Sequence, residues 1–114
     1  MHEVSIAEEI KDVVIQKLRE NKGKKVKRIK LLIGEMTSIV PDALKFAFDI
    51  VSKQTPMENA LIHIKVLKAR AKCKTCSKEF TIKDYAVICP GCNSPDVEII
   101  QGREMIIQTI EMEK

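Results

Sequence analysis

From Ser5 to Arg19 the apolar residues Ile6, Ile10, Val13, Val14 and Leu18 recur three or four positions apart, the spacing that lines one face of an α-helix. Ser5 with Glu8 fits a capping box at its start, and Asn21 or Gly23 offers the left-handed residue that closes a last turn. Val26 to Ile33 changes to strand character. Lys27, Ile29, Leu31 and Ile33 share one parity, which reads as the buried face. Gly34 interrupts the strand, and Pro41 suits the first turn of a second helix whose packing surface falls to Leu44, Phe46, Ala47, Phe48 and Val51. Strand character returns from Leu61 to Ala71, with Ile62, Ile64 and Val66 on one face. It returns again from Val97 to Glu111, broken at Gly102.

This order of helix, strand, helix, strand, cysteine-rich insert and strand predicts an α+β fold. Two helices pack on a small mixed sheet, and a four-cysteine zinc-ribbon-like subdomain is inserted between strands. The expected boundaries are 1–71 with 97–114 for the α/β domain and 72–96 for the insert. A chain of 114 residues has room for one core and one appendage. A subdomain well below about 40 residues needs a staple, because it buries too little apolar surface to fold unaided.

The staple is visible in the cysteines. Cys73-Lys74-Thr75-Cys76 and Cys89-Pro90-Gly91-Cys92 form two CxxC turns, each able to present two sulfurs to one ion at about 2.3 Å. Zn(II) held by Cys73, Cys76, Cys89 and Cys92 is the leading reading, with a rubredoxin-like iron site and a dithiol redox pair as alternatives. Gly91 suits the second turn and Pro90 stiffens it. Four thiolates would close the coordination shell, so this metal is expected to be structural, and its binding coupled to folding. The insert's own apolar residues are Phe80, Ile82, Tyr85, Val87 and Ile88.

A second metal site is suggested at the start of the chain. The Met1 α-amino group, the His2 amide nitrogen and the His2 imidazole can close adjoining five- and six-membered chelate rings, a donor set that favours tetragonal Ni(II) or Cu(II) over tetrahedral zinc. Glu3 can add a ligand or orient the imidazole. This chelate requires a free amino terminus with Met1 retained. His63, on an alternating strand, reads as an ordinary exposed residue.

Charge adds little to this picture. The formal net charge of +4 counts the cysteines as neutral, and the excess gathers at Lys22, Lys24, Lys25, Lys27, Arg28 and Lys30. That stretch reads as a solvated turn and strand edge, or else as a docking patch for an acidic partner. Aromatic residues make up 4% of the chain, too few for base-stacking platforms. No run approaches the roughly 20 apolar residues that span a bilayer, and no export signal precedes Glu3, Glu8 and Glu9, so a soluble cytoplasmic protein with reduced thiols is expected.

The Met1-His2-Glu3 start resembles the HypA hydrogenase maturation proteins. So do Gly34 to Phe48 with Pro41, Asp42, Ala43, Leu44, Phe46, Ala47 and Phe48, the paired CxxC turns, and the closing Gly102, Glu104, Met105 and Glu111. The resemblance implies a nickel metallochaperone that binds nickel through Met1, His2 and Glu3, with His2 essential and Asp42 a supporting carboxylate. It implies zinc on the four cysteines, a HypB-type GTPase and the [NiFe]-hydrogenase large subunit as partners, and a homodimer as a further option. Some relatives carry histidines beside the cysteine pairs. This chain has Lys78 and Asn93 nearby instead, so a histidine-exchange switch is not expected. No nucleophile with a histidine partner and no phosphate loop is present, so an enzyme is not expected. The competing function is a zinc-ribbon adaptor binding nucleic acid or an acidic protein through Lys22 to Lys30.

Overall fold

A computed structural model describes residues 3–83 and 87–114. In chain order the elements are α1 (Glu3–Glu20), β1 (Lys25–Gly34), a single 3-10 turn (Glu35–Thr37), α2 (Pro41–Val51), β2 (Leu61–Leu67), β3 (Arg70–Cys73), β4 (Glu79–Thr81), β5 (Val97–Gln101) and β6 (Met105–Glu113). They form two three-stranded sheets, ordered β2-β1-β6 and β4-β3-β5, so the architecture is α+β. The chain divides into two compact units. One holds the stretch up to Leu32 with Ile39–Lys65 and Ile106–Lys114; the other holds Ile33–Ser38 and Val66–Met105.

In the first unit α1 and α2 pack on each other. The buried stripe of α1 is Ile6, Ala7, Ile10, Val14 and Leu18, spaced at about one helical turn along a single face. Val13 falls outside the stripe and is 45% exposed. The helix is already running at Ser5, which is therefore not its cap. Its other end closes as a Schellman motif: Gly23 N–H donates to Leu18 O and Lys22 N–H to Arg19 O. Lys22 is the left-handed residue, with φ 56°. Gly23 is needed for contact instead, since a Cβ there would run into Leu18 Cδ1.

Pro41 occupies the first turn of α2, where its missing N–H costs nothing. Leu44, Ala47 and Phe48 face inward, and burial of each of the two larger side chains contributes about 1.5–3 kcal/mol. Phe46, expected in that surface, points outward and is 67% exposed, because its position on the helix turns it away from the Leu44–Phe48 stripe. On β1 the buried residues are Val26, Ile29, Leu31 and Ile33, while Lys27 is exposed. The inward parity therefore changes between Val26 and Ile29, which places a lysine outside and a valine inside. Lys24 N–H donates to Glu113 O and Gly34 N–H to Glu104 O, so β6 runs antiparallel to β1.

In the second unit β3 is the central strand. It pairs antiparallel with β4, Ala71 lying opposite Phe80, and with β5, Ala71 lying opposite Ile99 and Cys73 opposite Val97. A bulge between Arg70 and Ala71 interrupts the second pairing. The core is small: Ala69, Ala71, Cys73, Phe80, Ile82 and Cys89, with Met36, Val97 and Ile99 against it. Ile88, expected among the insert's packing residues, is about half exposed, and Tyr85 lies outside the described residues.

Two runs expected as single strands are each divided between the sheets. Leu61 to Ala71 breaks at Lys68 and Ala69 into β2 and β3, and Val97 to Glu111 breaks at Gly102 into β5 and β6. The division has a local cause in the second unit, where Gly102 has φ +125° and a Cβ on it would meet Ala69 Cα at 2.9 Å. Backbone passes backbone here without side chains between them. Met36 N–H donates to Gly102 O, and Gly102 N–H donates to Glu104 Oε1.

Candidate metal centre

The two CxxC turns are built alike. In the first, Cys73 N–H donates to Lys78 O and Ser77 N–H to Cys73 O. In the second, Cys89 N–H donates to Ser94 O and Asn93 N–H to Cys89 O. Each turn is closed by a left-handed residue just after its second cysteine, Ser77 with φ 65° and Asn93 with φ 59°. The sequence points to Gly91 for the backbone demand of the second turn, but that demand falls on Asn93, whose short polar side chain tolerates the left-handed region. The readable signal is the pair Ser77 and Asn93, set at the same offset from Cys73 and Cys89. The Thr75 and Ser94 hydroxyls join the two turns at 3.0 Å, and Lys74 N–H donates to Asp96 O.

This geometry brings all four thiols together, with their sulfurs within 4.8 Å of one another. Cys73 and Cys92 Sγ lie 3.6 Å apart, and Cys76 and Cys89 Sγ 3.5 Å. A tetrahedron with bonds of about 2.3 Å has edges of about 3.8 Å, so the arrangement fits a structural zinc ion. The same separations are far beyond a disulfide bond, and the four cysteines are free thiols. Cys76 N–H and Gly91 N–H point at Cys73 Sγ and Cys89 Sγ, each at 3.4 Å. Donors aimed at sulfur stabilise thiolate over thiol.

The titration of the sulfurs follows this wiring. The Cys76 N–H is the main reason Cys73 is lowered to about 6, against an opposing effect of burial and with further help from Thr75 N–H and the Cys92 and Cys76 thiols. Burial pushes Cys89 up, but the Cys92 and Gly91 N–H groups and the Cys76 and Cys92 thiols outweigh it, and its pKa is lowered. At Cys92 the Ser94 N–H pulls down, while the neighbouring sulfur of Cys73, burial and the Cys76 and Cys89 sulfurs together raise it to about 12. Four negative sulfurs this close repel one another. A dication resolves the conflict, which is the behaviour of a ligand set for a divalent metal.

Cys73 and Cys89 are buried, whereas Cys76 and Cys92 are exposed. All four positions of a tetrahedral ion would be filled by sulfur, leaving none for water, so such an ion is a scaffold.

The other expected metal residues are placed less completely. Met1 and His2 lie outside the described residues. Glu3 is the first residue of α1 and half-buried, Asp42 is exposed in the first turn of α2, and His63 is exposed on β2. Among the described residues, the four cysteines are the one metal-binding cluster. None of the described helices is long and apolar enough to cross a membrane.

Comparison with known proteins places this site in a family. The family model described as "Hydrogenase/urease nickel incorporation, metallochaperone, hypA" matches residues 1–112. The hydrogenase maturation factor HypA of Nostoc sp. is 40% identical over 114 residues, covering 100% of this chain and 97% of that protein. HypA from a strain of Dehalococcoides mccartyi is 38% identical over 113 residues, covering 99% and 95%. Among solved structures, the nickel metallochaperone HypA from Helicobacter pylori superposes with a TM-score of 0.72 at 27% identity, covering 99% of this chain and 98% of that one. A second HypA solution structure gives 0.75 at 29% identity, covering 98% and 96%. With the fold, the four-cysteine cluster and nearly the full length in agreement, this chain belongs to the HypA family of nickel metallochaperones that serve hydrogenase and urease nickel incorporation.

Proposed function

We propose that this chain carries Ni(II) on a chelate formed by the Met1 α-amino group, the His2 amide nitrogen and the His2 imidazole, with Glu3 completing or supporting the site. The observation that carries this reading is a family match that begins at residue 1 and takes in the Met1-His2-Glu3 start. Glu3 supports it from the described part of the chain: as the first residue of α1 it ties the donor residues to a rigid element. An amine, a deprotonated amide and an imidazole form a strong-field set suited to a tetragonal ion. Zn(II) held by Cys73, Cys76, Cys89 and Cys92 is the structural metal of the proposal.

In this proposal the nickel-binding role falls to 1–71 with 97–114 and the zinc-binding role to 72–96. The cargo passes to the [NiFe]-hydrogenase large subunit in the cytoplasm, and a HypB-type GTPase supplies the energy input, because this chain carries no phosphate-binding loop. A second copy of the chain is a further candidate partner. The protein is a carrier and not an enzyme, since the closed sulfur shell offers no reactive position. The competing zinc-ribbon adaptor is not favoured by the family match.

The test is nickel titration with metal analysis on untagged protein and on His2→Ala. The expected result is loss of nickel binding in the variant with zinc content and helix signal unchanged. Equal nickel affinity in the two proteins would reject the proposal.

A further inference from the structure

In the sheet β2-β1-β6 the strand β2 lies at an edge, and its residues 61–65 belong to the first unit. An edge strand offers unpaired N–H and C=O groups to another extended chain. The side chains of this stretch alternate. Ile62 lines a depression with Phe48 of α2, so Ile62 and Ile64 lie on the side toward that helix, both half-buried. Leu61 lines another depression with Arg28 and Glu111, and His63 and Lys65 share its exposed side. Cations on these strands outnumber carboxylates. Neither β1 nor β2 contains Asp or Glu, while β1 contributes Lys27, Arg28 and Lys30. Arg28 Nε lies 3.4 Å from Glu111 Oε2 of β6, but Lys27, Lys30 and Lys65 form no ion pair among the described residues.

The sheet itself contains the kind of strand that such an edge accepts. On the far side of β1, β6 runs Ile110-Glu111-Met112-Glu113, alternating apolar and acidic residues, and its Glu111 answers Arg28. The stretch 61–65 repeats the apolar and cationic alternation of β1 with its outer edge open. A second copy of β2 would bring it no carboxylate. A second copy's β6 would bring two, but a contact between unlike edges does not close on itself and leads to open chains instead of a defined complex. We infer that residues 61–65 take up an extended segment of a partner protein as a fourth strand, its acidic side chains beside His63 and Lys65 and its apolar ones beside Ile62 and Ile64. Main-chain hydrogen bonds would supply affinity and the alternating side chains specificity. The inference stands on the first unit alone and does not depend on the nickel reading.

The test uses the full zinc-loaded chain, labelled with ¹⁵N, and titrates it with the capped peptide Gly-Ile-Glu-Val-Glu-Ile-Glu-Gly. Saturable shifts centred on residues 61–65 are expected, with slowed amide exchange at alternate residues of that stretch. A peptide of the same composition with its glutamates grouped, and one N-methylated at alternate residues to block strand pairing, should each bind at least tenfold more weakly. His63→Glu combined with Lys65→Glu changes two exposed side chains and should weaken binding of the alternating peptide by about tenfold; a peptide with lysine in place of glutamate should then bind the variant better than the original chain. Absence of shifts at 61–65, equal binding of the grouped or N-methylated peptide, unchanged binding in the variant, or stronger binding of an oligothymidylate at the same residues would each overturn the inference. Concentration-dependent chain growth in sedimentation, lost in the same variant, would also overturn it by placing a second copy's β6 on this edge.

Discussion

Gly102→Ala should destabilise the zinc-bearing unit by an amount that follows from two independent faults. The backbone at Gly102 has φ +125°, which an L side chain rarely adopts, at a cost of about 1–3 kcal/mol. The added Cβ would also sit 2.9 Å from Ala69 Cα and 3.2 Å from Ala69 Cβ, and relieving such overpacking costs about another 1–3 kcal/mol. The sum is about 2–6 kcal/mol, a large part of the stability of any small domain. Gly34→Ala should be at least as harmful, since its Cβ would fall onto Gly102 O, an atom of the main chain that cannot swing aside. Gly91→Ala is the control. Its Cβ meets Lys78 Cδ at 3.2 Å, part of a flexible side chain, and the effect should stay within about 0.5 kcal/mol. The assay is the urea midpoint for zinc release, read with a chromogenic chelator on zinc-loaded protein. A Gly102→Ala midpoint equal to that of Gly91→Ala would refute the reasoning.

Cys92→Ser should lose zinc and loosen the second unit, while most of the far-UV helix signal survives, because α1 and α2 both lie in the first unit; collapse of the whole helix signal would contradict the division. Lys22→Gly should stabilise by under about 1 kcal/mol, since relief of a left-handed lysine exceeds the extra chain entropy of glycine; thermal denaturation decides the sign. Phe48→Ala should cost about 3–5 kcal/mol and Phe46→Ala within about 0.5, one being 1% and the other 67% exposed; similar losses in urea denaturation would show that Phe46 is buried in solution.

What the sequence made legible was whatever depends on short-range periodicity or fixed ligand spacing. The stripe through Ile6, Ile10, Val14 and Leu18, the parity of Ile29, Leu31 and Ile33, and Pro41 at the head of α2 each carry their own signal. The four thiols meet because a CxxC turn leaves its sulfurs little freedom. What escaped is set by distant neighbours. Leu61 to Ala71 reads as one strand because nothing at Lys68 or Ala69 breaks the pattern; the chain changes sheets there because Gly102 lets another segment pass against Ala69. Phe46 has the residue type of a core position, but its place on α2 puts it off the buried stripe. The left-handed position Asn93 was masked by Gly91, by type the more permissive residue, and Ser77 in the first turn had no glycine beside it to mark the demand.

In the proposed function the amine and imidazole at the start of the chain act as one nickel chelate. An extension of two residues before Met1 tests this most directly, since it removes the α-amino group from position while leaving His2 intact. Isothermal titration with Ni(II) on zinc-loaded native and extended proteins should show tight binding in the first and its loss in the second, with zinc content equal. Undiminished nickel affinity in the extended protein would contradict the claim.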